Sequence, residues 1–225
     1  MESLIVPKVD YAIYPSLLDA YLRFDRKDDD ETLISLLEKI NKVKSEQTEQ
    51  QLRGIAFENC VDMVIDGLKA DVSFGPVRNG DLYVSNGFEF KAQLVDKIAF
   101  KLQHATKRQE YVEAIFPSHV GTIKLYGKTD YSFPNMISDL KTTENYKCQK
   151  YEDHAQHPGY SLIKKLNGNP LQAFKYVVTD FNRDYQETYI PTEKMHYKLL
   201  QTIFEFTAFL NHFEKYITHR AVFGE

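Results

Sequence analysis

The sequence predicts an α/β fold in which a central mixed β-sheet is flanked by helices. Three observations carry that prediction. A helix-periodic stretch over residues 53–65 precedes a loop-rich segment, a further helix and then consecutive extended runs. Two of those runs are joined by Pro134-Asn135, a pair suited to a tight turn. A helical segment, two more strands and a long closing helix complete the pattern. With 225 residues, 43% hydrophobic and 27% charged, the expectation is one domain over residues 1–225.

Residues 1–10 are short and mixed. Leu17, Leu18, Tyr21, Leu22 and Phe24 then have the spacing of an amphipathic helix, with Ser16 the expected cap. Asp25 to Glu31 is a charged break, and its Asp28-Asp29-Asp30 run reads as a solvated loop and helix cap. Leu33, Leu36, Leu37 and Ile40 predict a second helix. In the third, Ile55, Val61, Val64 and Ile65 are the expected buried positions. Gly54 there costs about 1 kcal/mol relative to alanine, which points to a close approach of backbone or ligand. Glu58 stands one turn from Gly54 and from Asp62, and Cys60 reads as a small core residue.

Residues 71–88, rich in Gly, Asp and Asn, predict a loop or short hairpins, and 90–104 a helix through Phe90, Leu94, Ile98, Ala99 and Leu102. Strands are expected from Gln109 to Phe116 and from Val120 to Asp130. Asn145 to Leu166 reads as largely helical, with Pro158 and Gly159 expected to kink or restart it. Gly168-Asn169-Pro170 is a turn, Ala173–Asp180 and Asp184–Ile190 are strands, and Pro191-Thr192 opens a closing helix to His219.

The hairpin has consequences by arithmetic. If Pro134 and Asn135 form the loop, Phe133 faces Met136, Ser132 faces Ile137, Tyr131 faces Ser138 and Asp130 faces Asp139. Facing residues share a side of the sheet with Cβ atoms about 4.5–5.5 Å apart, and Lys141, two further on, joins them. Two facing carboxylates repel unless a cation sits between them, and a hard divalent ion, Mg²⁺ above all, suits oxygen ligands. A lysine beside it can hold an attacking water or offset charge building on a phosphate. This is a phosphodiester-cleaving constellation in miniature, although on these residues alone an exposed polar hairpin is the plain alternative.

Composition excludes several classes. The net charge of −4 argues against a generally basic nucleic-acid binder but leaves room for a local positive groove. Cys60 and Cys148 are isolated, which argues against a disulfide framework and a cysteine-rich metal site. No apolar run approaches a bilayer span and no signal-peptide pattern opens the chain, so a cytoplasmic location and no membrane partner are expected. His154 and His157 lack a further ligand nearby and read as surface residues, as do His212 and His219.

In order, Gly54 and Glu58, then Gly127-Lys128-Thr129-Asp130, then Asp139-Leu140-Lys141, then Gln156 and Tyr160 resemble the motifs of the PD-(D/E)XK nuclease superfamily, in its RecB-like and lambda-exonuclease-like branch. The resemblance spans residues from about 15 to 190 and implies a restriction-endonuclease-like core. It implies Asp130 and Asp139 as metal ligands with the Leu140 carbonyl, Glu58 completing the shell directly or through water, and Lys141 positioning the water. Gln156 and Tyr160 then support the nucleic-acid backbone. Thr129 departs from the pattern, where an aliphatic residue is usual, and Pro158-Gly159 interrupts the Gln/Tyr element.

The resemblance implies a Mg²⁺- or Mn²⁺-dependent deoxyribonuclease, an exonuclease of phage-type recombination or DNA repair. DNA is the partner, and any recombination or helicase protein would be a separate chain, since no helicase motif occurs. Lys124, Lys128, Lys147, Lys150, Lys164 and Lys165 are candidates to grip phosphates. The alternatives are a non-catalytic DNA- or protein-binding module on the same fold and a restriction-type endonuclease. Oligomeric state is not legible.

Overall fold

The computed structural model describes residues 8–27, 31–67 and 75–225; the Asp28–Asp30 run and residues 1–7 and 68–74 lie outside them. The chain opens with β1 (Tyr11–Ile13), too short for sequence periodicity to register, and continues into α1 (Pro15–Asp25). Pro15 takes the first helical position, where its missing N–H costs nothing, so Tyr14 and not Ser16 is the cap residue. Next comes α2 (Leu33–Ile40), fixed by a reciprocal capping box between Thr32 and Ser35. A second such box, Thr48 with Gln51, starts α3 (Glu49–Ile65).

The Gly- and Asn-rich stretch yields short strands, as expected: β2 (Val77–Asn79), β3 (Leu82–Ser85) and β4 (Phe88–Lys91) form a small antiparallel sheet. Phe90 belongs to β4, so α4 (Ala92–Leu102) begins later than its apolar spacing suggested. There follow β5 (Lys107–Ser118), β6 (Gly121–Phe133), β7 (Met136–Thr142), α5 (Gln156–Leu166), β8 (Ala173–Thr179), β9 (Asp184–Tyr189) and α6 (Glu193–His212). Thr192 caps α6, which ends at His212 short of the expected His219; two 3₁₀ turns, Glu214–Tyr216 and Arg220–Phe223, follow.

The predicted architecture is observed: a central mixed sheet in the order β1-β6-β7-β8-β9, with β5 also on β6, flanked by helices. β1 with β6 and β7 with β8 are parallel, and the other pairs are antiparallel. One core packs α1, α5 and α6 through Leu18, Ile163, Ile203 and Phe206 against Ile123, Phe174 and Val178. A second joins Ala56, Phe57, Cys60 and Val61 of α3 and Val95 and Ile98 of α4 to Tyr131, Leu140 and Val177. Of the expected α3 stripe only Val61 is buried; Ile55 is exposed, because the face turned inward is that of Ala56, Phe57, Cys60 and Met63. Among the described residues no helix is long and apolar enough to cross a membrane.

Two features of the long strands matter for the site. β6 carries β5 along one edge, while its other edge is shared by β1 at Ile123–Leu125 and by β7 at Tyr131–Phe133. The span between, through Lys128 and Asp130, has no strand neighbour on that side. The faces also exchange there. Ile123 and Leu125 lie in the first core, whereas Tyr131, of the same parity, lies in the second. Opposite, Val112 and Ala114 enter the first core while Arg108 reaches Asp62 on α3 and Asp66 at its C-terminal cap. Between them Gln109 and Asp130 face one another unpaired, and Gln109 has a left-handed φ of 49°.

Candidate functional site

The hairpin register is as the arithmetic required at Phe133–Met136, Ser132–Ile137 and Tyr131–Ser138. It stops one pair short of Asp130 and Asp139. Instead of a backbone partner, the Leu140 N–H has the Asp130 carboxylate, donating to Oδ2 at 3.1 Å. The strands part here, and the gap between them is filled by acidic side chains.

Asp139 is buried. Its Oδ1 accepts from Gln156 Nε2 at 3.1 Å, and its Oδ2 lies 2.7 Å from Lys141 Nζ. The ammonium neutralises that buried oxygen in an ion pair, and among the described residues no other donor reaches it. Burial pushes the Asp130 carboxyl well above its ordinary range and the Asp139 charge pushes it further, while Lys141 and the Leu140 N–H pull the other way. Burial works against the charge on Lys141, but Asp139, Asp130 and Asp19 outweigh it and hold the ammonium above the usual lysine range.

Glu58 is carried on α3 by the close approach that Gly54 permits. A Cβ at Gly54 would stand 2.7 Å from Thr142 Oγ1 on β7, so a larger residue there displaces the threonine hydroxyl or the helix. One turn on, Glu58 is half-buried and its carboxyl is raised by burial, then by Asp62 and Asp139. It opens onto a cleft of about 390 Å³ shared with Gly54, Gln51 and Leu140. Its recorded hydrogen bond comes from Gln109 Nε2 at 3.4 Å. Among the described residues no three His, Cys, Asp or Glu side chains converge closely enough to hold a metal ion. The close carboxylates are thus those of Asp130 and Asp139, with Glu58 one step removed.

The helix expected over 145–166 is in fact turns up to Ala155 and a helix only from Gln156. Glu187 on β9 holds the turns by accepting from Lys150 N–H, Tyr151 N–H and Tyr146 OH. Pro158 therefore sits in the first turn of α5, where it breaks no helical bond, and Gln156 and Tyr160 share a face. α5 lacks a cap of its own; Asp19, buried on α1, accepts the Ala155 N–H at 2.6 Å. Tyr160 OH donates to the Lys128 carbonyl at 2.6 Å, crossing Gly127, where a Cβ would stand 2.8 Å from that hydroxyl.

The structure thus brings Asp130, Asp139, Lys141 and Gln156 together, sets Glu58 within electrostatic reach, and leaves Tyr160 on the neighbouring backbone. Thr129 tolerates its buried place because its Oγ1 pairs with Ser132 Oγ at 2.8 Å. Of the six lysines, Lys124, Lys164 and Lys165 are paired to Glu113, Glu110 and Glu193, and Lys150 donates to Thr143 Oγ1. Lys128 and Lys147 are exposed. His157 is buried, not a surface residue: its ring stacks on Tyr189 at 4.2 Å, and burial pushes its pKa down to about 3. His154 is half-buried, 3.7 Å from Asp19, and burial lowers it to about 4.

Sequence reasoning passed over Asp19 and Gln109. Nothing local marks Asp19, whose partner is 136 residues away. Gln109 is marked only by its backbone, and strain at a residue aimed at Glu58 suggests a test. Gln109→Gly should relieve the left-handed conformation and raise stability by about 0.5–1 kcal/mol, roughly 1–3 °C in Tm by thermal melt. A fall in Tm would mean that the side-chain contacts outweigh the strain.

No family model matches the chain, and no curated protein matches it. Among solved structures it is similar to the crystal structure of SSO0001, at 12% identity over 89% of this chain and 79% of that one, with a TM-score of 0.43. It is likewise similar to that of a "Putative exonuclease" from Eubacterium rectale, at 16% identity over 87% of this chain and 77% of that one, with a TM-score of 0.46.

Proposed function

We propose that this chain is a divalent-metal-dependent deoxyribonuclease of the PD-(D/E)XK type, acting as an exonuclease on DNA ends. The observation that supports the reading most is Asp139 itself: a buried carboxylate held by Gln156 on one oxygen and paired with Lys141 on the other, close enough to Asp130 for its charge to raise that second carboxyl. Two neighbouring carboxylates beside one ammonium leave a negative excess that a divalent cation would offset.

Mg²⁺ or Mn²⁺ fits the donor set. Mg²⁺ is commonly held by one or two carboxylates, with waters and substrate phosphate completing its shell, so a cage of three acids is not required. Asp130, Asp139 and the Leu140 carbonyl would hold it, with Glu58 reaching it directly or through water. Bound there, the ion would polarise a phosphoryl oxygen and acidify water.

The remaining steps belong to the chain. Lys141, kept charged by three surrounding carboxylates, orients a water towards phosphorus and offsets charge growing on the phosphate oxygens. Gln156 fixes the rotamer of Asp139, and Asp19 fixes the start of the helix that carries Gln156. Tyr160 holds the Lys128 backbone beside the path of the strand. DNA is the partner proposed.

A comparison of linear, nicked and covalently closed plasmid tests this. Linear DNA should disappear with Mg²⁺ or Mn²⁺ and persist in EDTA, and the closed circle should survive. No cleavage of any form with either metal would overturn the nuclease reading, and equal attack on the closed circle would overturn the exonuclease part.

A further inference from the structure

A second cleft, of about 450 Å³, adjoins the acidic centre on the side of α5. Tyr14, Tyr111 and Tyr126 line it together with Lys42, Lys128 and Gln156. The Tyr14 and Tyr126 rings lie 5.7 Å apart at 60°, and Tyr111 and Tyr126 lie 6.2 Å apart at 41°. Tyr111 is 51% exposed, and Tyr14 and Tyr126 are half-buried, Tyr14 with its inner side against the first core. Among the described residues neither Tyr14 OH nor Tyr126 OH has a recorded hydrogen bond. Lys124, paired to Glu113, stands 5.7 Å over the Tyr126 ring and 6.0 Å over Tyr111.

Tyr126 lies four residues before Asp130 on β6, about 13 Å along the strand. Gln156 belongs to both places, lining this cleft while donating to Asp139. Lys42 and Lys128 are exposed at its edge, which gives an aromatic floor with cations beside it. A phosphodiester chain suits those cations, and a flat π-face suits the rings. A base inside a duplex has both faces covered by its neighbours, so the rings favour a base that is unpaired or frayed at a strand end.

We propose that the Tyr14/Tyr111/Tyr126 cleft is a base-stacking subsite for an unpaired nucleotide of the strand entering the acidic centre, with Lys42 and Lys128 against its phosphates. The proposal deepens the nuclease reading and rests on it for the direction of the strand: the substrate class is single-stranded DNA or a frayed terminus.

Binding rather than cleavage tests it. In EDTA, fluorescence anisotropy would compare a labelled oligothymidylate with an abasic oligonucleotide of equal length and charge. The thymidine strand should bind about 10-fold more tightly, the scale of one stacked base. Tyr126→Ala should erase that difference, and Tyr126→Phe, which keeps the ring, should retain it. Equal binding of the two strands by the parent overturns the subsite, as does a base preference that survives Tyr126→Ala. A base preference of the expected size in a protein that cuts nothing supports the subsite and counts against hydrolysis, so the two failures are told apart.

Discussion

Asp139→Asn is expected to lower the rate of DNA cleavage by at least about 10³-fold while the chain remains folded. The asparagine side chain has nearly the shape of aspartate, so the Gln156 contact can persist by exchange of amide and carbonyl. What is lost is one charge from a donor set of two close carboxylates. The same change relieves repulsion on Asp130 but takes the nearest counter-ion from Lys141, which keeps Asp130 and Asp19, so the chain should stay folded with a modest change in Tm. Lys141→Ala should cost activity on a similar scale but behave differently as a protein. It withdraws the cation that offsets Asp139, Asp130 and Asp19 at once, and the metal-free variant should melt below the parent. Initial rates on end-labelled linear DNA, with melting curves of each variant, separate the two effects. Parental rates in both would remove these residues from the chemistry.

The contrast between those variants depends on geometry that was only partly legible in the residues themselves. Turn chemistry and strand alternation set the hairpin register at three pairs, because Pro134-Asn135 leaves the chain little choice. The fourth pair fails for a reason outside the hairpin. β7 leaves β6 where Gln109 on the neighbouring strand takes a left-handed turn, and a glutamine gives no local warning of that. The expected helix over 145–155 has helical composition, yet Glu187, some 40 positions later, takes its backbone N–H groups instead. His157 read as a surface residue because the aromatic rings that bury it, Tyr176 and Tyr189, come from strands its own neighbourhood does not mention. Gly54 was legible for the opposite reason: a glycine inside a helix is costly on its own, and the close approach of Thr142 accounts for it.

Asp130→Asn should stabilise the metal-free protein while removing its activity. Burial, then the Asp139 charge, raises the folded-state pKa of Asp130 above its unfolded value, near 3.8. A carboxyl shifted in that direction binds its proton more tightly when folded. Its contribution is fully present below the unfolded pKa and is lost as pH rises through the folded one. Asp19, which burial raises to about 6, has the same sign. His154 and His157, which burial keeps neutral, act in the opposite sense below the unfolded histidine value, so the comparison of parent and variant is what isolates Asp130. In EDTA the gain from Asp130→Asn should be larger near pH 8 than near pH 5. At pH 7.5 the gain from Asp130→Asn is expected to be about 1–2 kcal/mol, roughly 3–6 °C for a chain of this length. Mn²⁺ should close the gap by raising the parent's Tm and leaving the variant's almost unmoved, since the neutral amide offers a cation less than the carboxylate does. Equal Mn²⁺ shifts in both proteins, or a variant less stable than the parent at pH 7.5, would mean that Asp130 is not a repelled carboxylate beside a cation site.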